Sequence, residues 1–213
     1  VTFVSPDGRR SQPFYFFNRY DRETVAQTWQ VLRSEFDEML MNHARSKGAE
    51  VREETSVTQL LKDDSGRVIG VAVQNKDGSK EHLLAKLVID ASGKEAFSTL
   101  REGWRMKDPY LNKVAVWTYY KGSKRATGID EGGTTIAFVP DKGWFWHIPQ
   151  HDDMVSVGVV AEGKYLSRDG VKDPKKMFER EISENKWIED HLSQGQSTGD
   201  YWITSEYSFH SKF

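Results

Sequence analysis

The period of apolar and polar positions changes several times along this chain, and each change marks an element. Residues 1–17 read as a hairpin. Thr2-Phe3-Val4 and Phe14-Tyr15-Phe16-Phe17 are β-rich runs, and Pro6-Asp7-Gly8 between them has turn chemistry. In the run Trp29-Gln30-Val31-Leu32-Arg33, extended geometry would place Trp29, Val31 and Arg33 on one face. Ser34-Glu35-Phe36-Asp37 matches a capping box with Ser34 as N-cap. The helix predicted after it carries Phe36, Leu40 and Ala44 on one stripe and ends at Gly48.

Beyond Gly48 the period becomes alternating. Short strands are expected at Val51, at residues 57–61, 68–73 and 83–84, with turns at Asp63-Asp64-Ser65-Gly66 and Lys76-Asp77-Gly78. Residues 87–89 (Leu-Val-Ile) form a short, wholly apolar run, expected as an interior strand in a sheet other than that of the run 144–148. It ends in Asp90-Ala91-Ser92-Gly93. Further strands are predicted over 114–120, 134–139, 144–148 and 155–160. Asp173-Pro174 opens a helix carrying Met177, Phe178 and Ile182, and a short helix follows over 187–192. The tail, 201–209, alternates and is aromatic.

Composition narrows the function classes. Thirty Lys and Arg against 32 Asp and Glu leave a formal charge of -2, which argues against a nucleic-acid partner. No basic amphipathic stretch points to a membrane surface, and no apolar run approaches the roughly 18 residues of a spanning helix. With no cysteine there is no disulfide, thiolate metal site or cysteine nucleophile, and a reducing cytoplasm is the expected compartment. Seven Trp, eleven Phe and eight Tyr must supply much of the core. The six histidines show no metal-ligand spacing, and a polar turn explains His147, His151, Asp152 and Asp153 better than a metal does.

A helix, a meander, a buried strand and Asp90-Ala91-Ser92-Gly93 are how the later part of a dinucleotide-binding α/β domain reads. Ligands bind at the carboxyl ends of such strands. Gly93 would let a backbone approach a ligand, or would merely turn the chain; on this segment alone the two readings weigh equally. Three motifs then carry a resemblance. The pattern Val31-x-Arg33-x-x-Phe36-Asp37-x-x-Leu40-x-x-x-Ala44-x-x-x-Gly48-Ala49 resembles a segment of flavin-dependent halogenases and geranylgeranyl reductases. Val88-Ile89-Asp90-Ala91-Ser92-Gly93 resembles a cofactor-domain strand and loop of the same group. Trp144-x-Trp146-x-Ile148-Pro149 matches the W-x-W-x-I-P signature of flavin-dependent halogenases.

The resemblance implies an FAD-dependent oxidoreductase, α/β in class. Part of a Rossmann-like FAD domain would occupy 25–100, and a mainly antiparallel substrate domain 101–205, joined by the hairpin 1–20. Arg33, Gln30, Val57, Asp90, Ala91, Ser92 and Gly93 are the cofactor contacts it implies, although Arg33 also has a plain reading as an ion pair with Asp37. Trp144, Trp146, Ile148 and Pro149 would form a wall beside the flavin, since extended geometry sets the two indoles on one face; an aromatic core ladder is the bland alternative.

In such enzymes reduced FAD and oxygen oxidise chloride or bromide, and a lysine relays the halogen to an electron-rich small molecule. A separate flavin reductase supplies the reduced flavin. No G-x-G-x-x-G occurs in this sequence. The family lysine is expected upstream of Val1 and a second flavin stretch after Phe213, so the chain is expected to be an internal piece with no catalytic residue of its own. A reductase or hydroxylase on the same fold, and a non-catalytic truncated product, stay open beside the halogenase.

Overall fold

The computed structural model describes residues 1–19, 28–140, 143–204 and 208–212. In chain order it contains β1 (Thr2–Val4), α1 (Arg33–Ser46), β2 (Ser56–Lys62), β3 (Val68–Gln74), β4 (Lys80–Leu84), α2 (Phe97–Arg101) and β5 (Arg105–Lys107). Then come β6 (Lys113–Lys121), β7 (Thr135–Val139), β8 (Gly143–Pro149), β9 (Met154–Glu162), α3 (Gly163–Leu166), α4 (Pro174–Ile182) and α5 (Lys186–Leu192). Three short strands close the chain: β10 (Gln196–Ser197), β11 (Trp202–Ile203) and β12 (Phe209–Ser211). Two compact units emerge, Val1–Phe36 with Pro109–Ser208, and Asp37–Asp108 with Phe209–Phe213.

The first unit is built on one sheet in the order β1-β7-β8-β9-β6-β10, with β11 also paired to β6. All its pairings are antiparallel except β1 with β7. Helices α4 and α5 pack on one face. Phe178 of α4 meets Phe145 of β8 edge to face at 5.8 Å, and Val116, Val155, Val157, Val159, Ile188 and Leu192 complete the core. Both helices start on side-chain caps: Asp173 accepts from the Lys176 amide at 3.0 Å, just before Pro174. Asn185, fully buried, accepts from Trp187 and Ile188 and donates to the Phe138 carbonyl. The one fully buried carboxylate among the described residues, Glu181, is held by Arg168 at 2.6 Å, Arg180 at 3.0 Å and the Tyr165 hydroxyl at 2.8 Å.

The second unit holds the antiparallel meander β2-β3-β4 and the pair β5-β12. Helix α1 ends as its sequence predicts. Gly48, at φ +93°, donates to the Arg45 carbonyl and Ala49 reaches back to Ala44, which closes the last turn.

Four sequence expectations need correction. The opening turns back at Pro6–Gly8 as expected, and Phe14 returns to bond Val1, but 14–17 is not a strand: the return pairs only through an isolated Val4–Arg10 bridge, and β1 takes its ladder from β7. Pro13 has no amide to give to a ladder, and residues 16–18 coil into a 3-10 turn. Helix α1 begins at Arg33 with the Leu32 carbonyl accepting from Phe36, so Ser34 lies inside the first turn rather than at the N-cap. Neither Val51 nor residues 29–33 join a strand. Residues 87–89 do not form the interior strand expected: Leu87 is 75% and Ile89 79% exposed, and no ladder flanks them among the described residues. A parallel interior strand exists only between two neighbours, so its apolar sequence alone cannot build it.

Candidate functional site

Strand β8 separates its side chains as the alternation requires. Phe145, His147 and Pro149 are buried on the helix-covered face, while Trp144, Trp146 and Ile148 are half-buried on the opposite one. Cross-strand register aligns Trp146 with Ile136 on β7 and Gly158 on β9, and Gly158 with Trp117 on β6, which in turn pairs with Trp202. Trp117 and Trp202 stack at 6.1 Å. Phe3 and Phe138 lie parallel at 6.3 Å, and Phe138 is the register partner of Trp144. The tryptophans thus belong to a broad aromatic sheet face, not to the buried core.

Two residues of β9 set how Trp146 lies. A Cβ on Gly158 would sit 2.2 Å from its Cζ2 and 2.3 Å from its Cη2, so the indole occupies the space that any other residue would fill. The Ser156 hydroxyl accepts the indole N–H at 3.1 Å. Together they lay the ring flat across β9.

The exit of β8 is tied to the approach to α1. Gln150 donates to the Val31 carbonyl at 3.1 Å, and His151 Nε2 lies 3.1 Å from Glu35. Gln30 gives its amide N–H groups to the Gly132 carbonyl (2.7 Å) and Thr134 Oγ1 (2.9 Å). Arg33 follows as the exposed first residue of α1. Two motifs more than a hundred residues apart are thereby held together.

In the second unit Val57 lies with Asp90, Ala91 and Ser92 on a cavity of about 420 Å³, walled by Leu60, Val71, Val88 and Phe97. Asp90 shapes this loop: its carboxylate accepts the amides of Ser92 (2.9 Å) and Ser98 (2.8 Å) as well as the Ser98 hydroxyl. The hydroxyls of Ser98 and Ser92, then those amides, hold its pKa far below the usual carboxylate range. Gly93 turns at φ +61°, with open space where a Cβ would be, and Ala96 adopts the left-handed conformation at φ +50°. The walls are apolar and the loop presents backbone, a combination suited to a flat heterocycle such as an adenine.

The tryptophan halogenase family model matches residues 9–197. A flavin-dependent halogenase of Armillaria mellea, armH2, is 28% identical over 201 residues, covering 86% of this chain and 39% of that protein. The chain belongs to the tryptophan halogenase family. Another A. mellea flavin-dependent halogenase, armH4, is 36% identical over 145 residues, covering 64% of this chain and 27% of its own length. Among solved structures, the myxobacterial FAD-dependent halogenase CndH superposes with a TM-score of 0.83 at 26% identity, covering 99% of this chain and 49% of its own. A flavoprotein/dehydrogenase from Cytophaga hutchinsonii matches at 0.82 but only 22% identity, a likeness of fold alone. The chain spans 27–39% of the length of these two curated relatives.

The mixed α/β fold expected from the sequence is that of the FAD-dependent halogenases, and FAD is the cofactor of the family. The structure gathers the residues singled out from the sequence into separate groups: Val57, Asp90, Ala91 and Ser92 on one cavity, with Gly93 turning the chain beside them; Trp144, Trp146 and Ile148 on one sheet face; Gln30 and Arg33 on the segment tied to the exit of β8. Pro149 faces the other way, buried on the helix side. Sequence reasoning missed Ser156 and Gly158. A glycine inside the run Val155-Ser156-Val157-Gly158-Val159 is the signal that another group comes close. Among the described residues no group of three or more His, Asp or Glu side chains is placed to hold a metal ion, and no helix is long and apolar enough to cross a membrane.

Proposed function

We propose that this chain is part of a flavin-dependent halogenase acting on an electron-rich organic substrate, with chloride or bromide as co-substrate and a separate reductase as the source of reduced flavin. The observation that carries the reading is the W-x-W-x-I-P strand, whose indoles line an open sheet face while its exit loop anchors the segment leading to Arg33. Reduced FAD, when bound, supplies the electrons with which oxygen is activated to oxidise halide.

The chain's own residues do the surrounding work. Val57, Leu60, Val71 and Phe97 would hold the flat adenine of the dinucleotide, and Asp90 fixes the shape of the Ala91–Ser92 backbone beside it. Arg33 offers a planar guanidinium suited to an anionic or carbonyl edge of the cofactor. Trp144 and Trp146 form an apolar wall on their own sheet face that would exclude water, favouring reaction with halide over loss of the oxidant to water. The exposed Phe36, Leu40, Leu87 and Ile89 would be covered by further parts of the cofactor domain in the whole protein. The cofactor portion is taken as 25–100 and the substrate portion as 101–205 with 1–20, although the compact units divide at Phe36 and Asp108. The lack of cysteine fits a cytoplasmic protein.

The test is the full-length protein with FAD, a flavin reductase, oxygen, chloride or bromide, and a panel of phenols, pyrroles and indoles. Halogenated product by mass spectrometry supports the proposal. Anaerobic reduction of an alkene substrate without halide would overturn it in favour of a reductase on the same fold.

A further inference from the structure

The opposite face of β8 from the tryptophans borders a second cavity, of about 370 Å³. It lies within the first unit, lined by α5, the returning segment 10–13 and the loops around Arg125 and Asp130. Two ring nitrogens among its lining residues lack a partner although both are buried: His147 Nε2 and Trp187 Nε1. His147 is only 2% exposed, and its ring meets that of Trp187 edge to face at 5.2 Å. Trp187 in turn stacks on His191 at 3.6 Å. An indole N–H can only donate, so burying one without an acceptor costs free energy unless something enters with oxygen to offer.

Charge and shape narrow what that is. Arg10 and Arg125 line the cavity against a single carboxylate, Asp130, whose Oδ1 already accepts the Tyr15 hydroxyl at 2.7 Å. The guanidinium of Arg125 is fixed by the carbonyls of Gln150 (2.8 Å) and Met154 (2.6 Å), with Asp153 3.6 Å from its Nε. Pro13, Ala126 and Pro149 add apolar wall. Burial pushes the pKa of His147 down to about 3 and lowers that of His191, so the lasting positive charge is that of the arginines. The volume is far larger than a halide ion and falls within the range of small-molecule sites. We infer that this cavity binds a small organic carboxylate, its oxygens taken by the arginines and, after a small ring movement that uncovers it, by Trp187 Nε1, and its body resting on the prolines and the Trp187–His191 stack.

This does not depend on the halogenase reading: of the lining residues only Pro149 was expected beside the flavin, and it faces away from the tryptophans. The experiment titrates the full-length protein, without halide or aromatic substrate, with benzoate by isothermal calorimetry. Benzyl alcohol serves as the neutral counterpart. Histidine ring nitrogens are labelled and followed by NMR, the His147 signals being assigned with His147→Gln. Saturable benzoate binding that shifts the His147 signals is expected, with benzyl alcohol weaker by about tenfold or more. Trp187→Phe, which keeps the ring, and Arg10→Gln, on an exposed stretch, should each weaken benzoate by about tenfold. Absence of saturable binding, which is the result for a cavity filled by water alone, would overturn the inference. So would benzoate binding that leaves His147 unmoved, equal affinity for benzyl alcohol, or unchanged affinity in Arg10→Gln.

Discussion

Replacing Gly158 by alanine tests the aromatic face at the point where it is most tightly built. The new methyl would lie 2.2 Å from Trp146 Cζ2, where ordinary contact begins at 3.4 Å, so the indole must retreat by more than about 1 Å. It cannot move toward the strand, because β9 lies beneath it, and moving away breaks the 3.1 Å bond from its N–H to Ser156. Overpacking of this kind costs about 1–3 kcal/mol and the lost hydrogen bond about 1 kcal/mol more, roughly 2–4 kcal/mol in all. Ser156→Ala removes only the bond and should cost about 1 kcal/mol. Urea unfolding of both variants gives the two costs, and indole fluorescence reports the displaced ring. In the full-length protein, the ratio of halogenated product to reduced FAD consumed should fall further in Gly158→Ala than in Ser156→Ala. If Gly158→Ala is as stable as the parent, or Ser156→Ala costs more, Trp146 is not positioned by β9 and the reasoning fails.

Four further outcomes are expected. Burial, then His191 and Arg125, press the pKa of His147 down to about 3, so the unfolded chain takes up a proton below about pH 6.5 that the folded one refuses. Stability should therefore fall as the pH drops through that window, by about 2 kcal/mol between pH 7 and 5, with His191 acting in the same sense; urea midpoints that stay level over this range, or an unaltered slope in His147→Gln, would contradict it. Glu181→Ala strands Arg168 and Arg180 beside a new void and should cost about 3–5 kcal/mol in equilibrium unfolding, whereas a cost below about 1 kcal/mol would mean water already screens the group. The 213-residue chain by itself should bind FAD more weakly than micromolar, since its sequence offers no Gly-rich loop of backbone donors for the pyrophosphate; a sub-micromolar constant in a flavin fluorescence titration would refute this. Trp144→Ala with Trp146→Ala in the full-length protein should raise oxygen consumption that yields no halogenated product, and unchanged coupling would remove the wall from the mechanism.

Local signals decided most of the first unit. Alternation located β7 and β8, because each has one face toward the helices and the other toward the open side, so period 2 is written into its residues; β9, buried from Val155 to Ala161, read as a strand from its run of valines. Asp173-Pro174 and Gly48 marked helix ends because caps act within one turn of chain. The W-x-W spacing by itself set both indoles on one face, and the three motifs together named the family.

Tertiary structure decided what depends on partners distant in sequence. Nothing near Thr2 says that β1 will lie parallel to β7, more than 130 residues away. The apolar run 87–89 specifies burial but not the neighbours that would make it a strand, and the described residues supply none. Nor does any local pattern bring Gln150 to Val31, Val57 to Asp90, or Gly158 beneath Trp146. Hydrogen bonds and close packing act over a few ångströms of space, whatever the separation along the chain. A sequence read locally therefore shows which residues want a partner, and only the folded chain shows which partner each one finds.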